Sequence, residues 1–274
     1  MLTRESAVEE GLNIDNEQGS DKPMLIRRLV TRLIISLQFL TRIPINADIN
    51  YTSRNVGKSM IYYPIIGSLI GAILVGLNVG FSFLWSDLAV KALLLIAWIM
   101  ITGGLHLDGY MDTIDGIFSG RSKQRMLEIM HDSRVGAHGV TGLMSLLLLK
   151  FVFLTELTAQ IEVEVLLLVP TLSRWAMVYA AAFYPYAREE AGLGTAYAEF
   201  VETKELLIAS LWTAVLAGLL LGVYGLAAFI LVWIITVVII RIITKRIDGL
   251  TGDCYGAINE LIEVFALLAL TLIY

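Results

Sequence analysis

Long apolar runs alternate with short polar breaks along most of this chain. A helix needs roughly 20 mostly apolar residues to cross the ~30 Å hydrocarbon core of a bilayer. On that measure the pattern predicts spans at Tyr62–Leu84, Leu88–Leu105, Val140–Leu157, Val165–Tyr184, Leu206–Val223, Leu226–Ile243 and Glu260–Tyr274. An eighth apolar piece, Leu29–Ile45, is interrupted by Arg32, Gln38 and Arg42, so an interfacial or re-entrant helix is expected there. Residues 1–25 follow neither pattern. They are polar and acidic, lack the apolar core of a signal peptide, and are expected to form a disordered tail. Residues 26–274 then make a single membrane-embedded domain. The fold class is all-α: a polytopic helical bundle of about seven transmembrane helices plus an N-terminal interfacial or re-entrant helix.

Composition narrows the function classes. Of 274 residues, 57% are hydrophobic and 16% charged, with a mean hydropathy of +0.75. Soluble domains carry about a quarter charged residues, so a water-soluble enzyme is excluded. The net charge of -5 leaves no basic face to neutralise a nucleic-acid backbone. One cysteine, Cys254, excludes an internal disulfide and a cysteine-based zinc cluster. Lysines and arginines fix the orientation, because they accumulate in cytoplasmic loops. Arg27, Arg28, Arg32, Arg42, Arg54 and Lys58 precede the first span. Arg121, Lys123, Arg125 and Arg134 follow the second, Arg188 and Lys204 the fourth, and Arg241, Lys245 and Arg246 close the sixth. The opposite loops hold only Lys91. The expected product is a multi-pass protein of the cytoplasmic membrane, with its N-terminus and its polar loops in the cytoplasm.

Candidate chemistry concentrates in residues 103–139, GGLHLDGYMDTIDGIFSGRSKQRMLEIMHDSRVGAHG. Asp108, Asp112 and Asp115 lie at helical spacing on one face. Carboxylates so close repel one another unless a cation sits among them, and all-oxygen ligands point to magnesium or manganese. Asp108, Asp112 and Asp115 are therefore the expected ligands of Mg2+. Asp132 is read as a further ligand or a base, and Arg134 as a fork for phosphate oxygens. Ser133, Arg121 and Arg125 belong to the same polar segment and are expected on the substrate side. His106, His131 and His138 lie among hard carboxylates and are read as hydrogen-bonding or packing groups, His138 toward substrate. Far along the chain, RIDGLTGDCYGAINELIEV adds Asp248, Thr251, Asp253, Asn259 and Glu260 as further substrate-binding candidates, with Glu263 beyond them. An acid inside a span needs a polar partner, and Arg174 is the expected one.

Several long motifs occurring in order make the chain resemble the cobalamin synthase family, whose members are adenosylcobinamide-GDP ribazoletransferases of bacterial and archaeal membranes. They are FLTRIPI, YYPIIGSLIGA, TGGLHLDGYMDTIDGIFSGR, RMLEIMHDSRVGAHG, TLSRWAMVYAAAFYPYAR and GLTGDCYGAINELIEV. The resemblance runs from about Leu37 to the C-terminus. It implies transfer of the adenosylcobinamide-phosphate group of adenosylcobinamide-GDP to the 5′-hydroxyl of α-ribazole or α-ribazole 5′-phosphate. GMP leaves, in a Mg2+-dependent step, as the last assembly step of the cobalamin nucleotide loop. The family's acidic motif falls on Asp108, Asp112 and Asp115, and its D-S-R element on Asp132, Ser133 and Arg134. Asp115 or Asp132 is the expected proton acceptor, with Arg134 stabilising the departing GMP. The resemblance leaves open a homo-oligomer or a complex with other cobalamin-pathway enzymes.

Two other readings fit parts of the pattern. A membrane CDP-alcohol- or prenyl-type transferase also gathers aspartates around magnesium, although D-x3-D-x2-D differs from the endings associated with those enzymes. A cation transporter would line its path with such acids, but no internal repeat relates the two halves.

Overall fold

The computed structural model describes residues 22–47, 49–188 and 193–273, and the expected tail at 1–25 lies largely outside them. The chain is helical. Among the described residues the β-structure is one isolated bridge, Tyr186 to Leu250. In chain order the helices are α1 (Lys22–Leu40), α2 (Ser53–Ser59), α3 (Tyr63–Ser82), α4 (Asp87–Thr102), α5 (Leu105–Phe118) and α6 (Lys123–His131). There follow α7 (Ala137–Thr155), α8 (Glu162–Phe183), α9 (Leu193–Phe200), α10 (Thr203–Ile247) and α11 (Gly252–Ile273).

Among the described residues five helical stretches are long and apolar enough to cross a membrane: 53–82, 137–155, 162–183, 203–247 and 252–273. A sixth arises if α4 and α5, bent by 89° to one another, count as one broken span. The expected seven is not reached on this measure. One reason is that Leu206–Val223 and Leu226–Ile243, expected as two spans, are counted once as the 45-residue stretch α10, which holds a non-helical residue at Gly222. Straight, such a helix would run roughly 68 Å, more than twice the hydrocarbon thickness. It is not straight. Gly222 has φ 58° and ψ -133°, and a β-carbon on Gly225 would lie 2.1 Å from the Ala217 carbonyl oxygen. The chain therefore doubles back at Gly222 into two packed arms. The backbone there suits glycine and few other residues. Gly222→Ala should cost on the order of 1–3 kcal/mol and lower the melting temperature of the detergent-purified protein; an unchanged transition would contradict the tight reversal.

The bundle closes through small residues. Gly67 and Gly71, spaced as G-x-x-x-G on α3, let it touch α8: β-carbons there would lie 2.3 Å from the Pro170 carbonyl oxygen and 2.5 Å from that of Leu166. α8 is buried along most of its length. Helix α1 does not qualify as a span and leaves Leu25, Ile26 and Val30 exposed beside Arg27 and Arg28.

Lys91 is not the loop charge its position implied. It is buried, 1% exposed, and pairs with Glu162 and with Asp87 at 3.2 Å. At the other end of the bundle the polar segments converge. Lys123 meets Asp248 at 3.0 Å, Arg188 meets Asp253 at 3.1 Å, and Ala187 and Leu250 are joined by a backbone hydrogen bond of 2.9 Å.

Candidate active site

The site is organised by a sharp turn and a close helix contact. Gly103 and Gly104, both left-handed (φ 65° and 68°), end α4 and start α5. The redirected α5 lies on the N-terminal half of α11, where a β-carbon on Gly109 would sit 2.8 Å from the Asp253 carbonyl oxygen. A β-carbon on Gly256 would lie 3.1 Å from the His106 carbonyl oxygen. These glycines bring the two acidic motifs together. Asp112 lies in the negative field of Asp253, Asp108 and Asp115, opposed by Arg188. Asp108 is exposed, while Asp112 and Asp253 are half-buried. Asp253 sits in the first turn of α11, where the helix end favours a carboxylate. It accepts hydrogen bonds from Thr251 Oγ1 at 3.2 Å and Arg188 Nη2 at 3.1 Å.

Asp115 does something different from Asp108 and Asp112. Only 8% exposed, it accepts backbone hydrogen bonds from Gly136 to Oδ2 and from Gly139 to Oδ1, both 2.8 Å. A β-carbon on Gly136 would lie 2.3 Å from its Oδ1, and one on Gly139 would lie 2.4 Å from its Oδ2. The glycines of RVGAHG are thus what allow a carboxylate to seat on the N-terminus of α7. With both oxygens so engaged, Asp115 ties α5 to α7 and positions the other acids.

The D-S-R element lies in the turn between α6 and α7. The Arg134 guanidinium grips Asp132 at 2.5–3.1 Å, and these bonds hold the Asp132 carboxyl down at about 2. Ser133, Arg121 and His138 are exposed, the His138 ring 6.4 Å from that of Phe118. Arg125 pairs with Glu128 at 2.6 Å. Asp248 adopts a left-handed conformation (φ 58°) that ends α10. Thr251 is buried and accepts the Cys254 backbone N–H at 3.3 Å, a cap for α11.

Asn259 and Glu260 require a correction as substrate-binding residues. They are 0% and 4% exposed and belong to an ionic cluster inside the bundle. Lys150 bonds Glu260, and Glu263 at 2.5 Å. Arg174 bonds Glu263, as its place in α8 implied, and Asn259 Nδ2 donates to Glu263 at 3.2 Å.

Sequence reasoning missed Lys150, a single cation in an apolar run, and it missed Arg188. Arg188 and Lys123 line a cavity of about 500 Å3 with Gln124, Leu127, Glu128, His131 and Ala187. Arg188 closes the PYAR segment, where the sequence alone marks it only as a loop charge that sets orientation.

Among the described residues no three His, Cys, Asp or Glu side chains converge into a metal cage. The donor set nonetheless suits magnesium. That ion keeps several waters and is usually held by one or two carboxylates plus substrate phosphates, and Asp108 and Asp112 are accessible carboxylates of this kind.

A family model described as Cobalamin-5-phosphate synthase matches residues 32–271. The chain is 41% identical over 244 residues to an adenosylcobinamide-GDP ribazoletransferase of Desulforamulus reducens, covering 89% of this chain and 97% of that protein. It is 40% identical to the protein of that name from Roseiflexus sp., covering 86% of this chain and 88% of the relative. The Clostridium acetobutylicum protein of that name is 39% identical, with 86% and 94% covered. No solved structure matches.

Proposed function

The chain belongs to the cobalamin-5-phosphate synthase family, and from that membership we propose that it transfers the adenosylcobinamide-phosphate group of adenosylcobinamide-GDP to α-ribazole or its 5′-phosphate. A ribose hydroxyl oxygen that is free in both acceptors bonds to the phosphorus that carries cobinamide, and the bond from that phosphorus to the GMP oxygen breaks. The hydroxyl loses its proton, and adenosylcobalamin or its 5′-phosphate is released with GMP. The observation that carries this reading is the meeting of Asp108, Asp112 and Asp253 beside Arg188 at the polar end of the bundle.

Phosphoryl transfer is mainly positioning and charge neutralisation. Asp108 and Asp112 would hold Mg2+, which neutralises diphosphate charge when bound. Arg188 neutralises Asp253 and presents its guanidinium to the cavity. Arg134, whose side chain is 86% exposed, exchanges Asp132 for a phosphate oxygen. That move frees the Asp132 carboxylate, whose affinity for protons then rises from its depressed state and lets it take the hydroxyl proton. Asp115 holds α7 against α5 while this happens. By the distribution of lysine and arginine, this end of the bundle faces the cytoplasm.

Proteoliposomes test the class of function. Supplied with adenosylcobinamide-GDP, α-ribazole and Mg2+, they are expected to release GMP without accumulating cations. Cation uptake without GMP release would place the chain among transporters instead.

A further inference from the structure

The cavity beside the acid cluster holds a group that phosphate binding does not explain. At about 500 Å3 it falls within the range of small-molecule sites. One wall is a face of α6 carrying Lys123, Gln124, Leu127, Glu128 and His131, and Ala187 and Arg188 stand with it. The cationic part lies toward the reacting centre, because Arg188 bonds Asp253 at 3.1 Å. Glu128 is out of place in an anion site. An ionised carboxylate only accepts hydrogen bonds and repels phosphate. Its presence asks for a part of the ligand that donates, away from the phosphates. Leu127 and Ala187 add apolar surface of the sort that lies against a planar ring.

We propose that this cavity seats the guanosine half of the nucleotide substrate and that Glu128 selects guanine, accepting from its N1–H and its 2-amino group. The proposal rests on the ribazole-transfer reading and deepens it. Guanine offers a carboxylate two adjacent donors. Hypoxanthine offers one, and adenine turns a bare ring nitrogen to the same place. Arg125, 2.6 Å from Glu128 Oε2, need not leave, since a carboxylate has about four acceptor sites.

Equilibrium dialysis of GMP, IMP and AMP against the full-length detergent-purified protein with Mg2+ tests the assignment. Retention is expected in the order GMP, IMP, AMP, with GMP favoured over AMP roughly tenfold or more. Glu128→Gln, which replaces one acceptor by a donor on an exposed side chain, should collapse that ratio to within about threefold. Glu128→Asp, which keeps both acceptors, should retain most of it. Equal binding of the three nucleotides, no retention of GMP, or an unchanged ratio in Glu128→Gln overturns the proposal. The readout requires no turnover. Loss of base preference therefore leaves ribazole transfer standing, while a failed GMP-release assay leaves a measured base preference intact.

Discussion

Asp112→Asn is expected to lower GMP release by at least about 10²–10³-fold while the purified protein stays folded. Asp112 is half-buried among Asp253, Asp108 and Asp115, with Arg188 opposing them. Its charge is unfavourable among those neighbours, and in the proposed mechanism it serves to hold Mg2+ against the diphosphate. Removing it relieves repulsion, so the melting temperature should hold or rise as activity falls. Steady-state GMP release and thermal unfolding in detergent, measured on the same preparation, separate the two effects. Near-normal turnover would move the metal site away from this residue.

The second large effect is on stability. Lys150→Met should destabilise the fold by about 3–5 kcal/mol, the usual cost of removing one partner from a buried ion pair. Lys150 is 4% exposed, lies 5.3 Å from the centre of the Trp98 ring, and neutralises Glu260 and Glu263. Arg174, 0% exposed, shares Glu263. Two cations and two acids thus balance across α7, α8 and α11, and the variant leaves one acid without compensation. The double variant Lys150→Met with Glu260→Gln should recover part of the loss, because the two sites are in direct contact. Detergent unfolding curves of the wild type, the single and the double variant check this. A loss under about 1 kcal/mol in the single variant would mean that the network does not hold the helices together.

Much of the architecture was legible because membrane spans advertise themselves by length and composition. α7, α8 and α11 each coincide in large part with an expected apolar run. The reversal at Gly222 falls beside the break that hydropathy places between Leu206–Val223 and Leu226–Ile243, with the glycine itself inside the first of these runs. Whether the helix ends there or folds back on itself depends on a single φ angle. The spacing of Asp108 and Asp112 pointed to shared carboxylate chemistry, and the structure adds Asp253 through the Gly109–Gly256 contact. Asp115 has the same spacing, yet a second motif, RVGAHG, engages it through backbone N–H groups. Spacing along one helix cannot reveal that partner. Asn259 and Glu260 share one motif with Asp248, Thr251 and Asp253, but the helix carries them into the core. Lys150 escaped notice because one lysine barely alters the hydropathy of a span. The ion pairs that fixed these positions join residues roughly a hundred apart in sequence (150 to 260, 174 to 263).

Metal-assisted transfer onto ribazole by the acids at the polar end, as proposed, ties GMP release to both Mg2+ and the acceptor. The most direct measurement follows GMP release and cobalamin formation by the detergent-purified protein, supplied with adenosylcobinamide-GDP and α-ribazole, as Mg2+ is titrated. Equal amounts of GMP and cobalamin product are expected, rising with Mg2+ and abolished by chelation. GMP release that ignores Mg2+, or GMP release without ribazole incorporation, would contradict it.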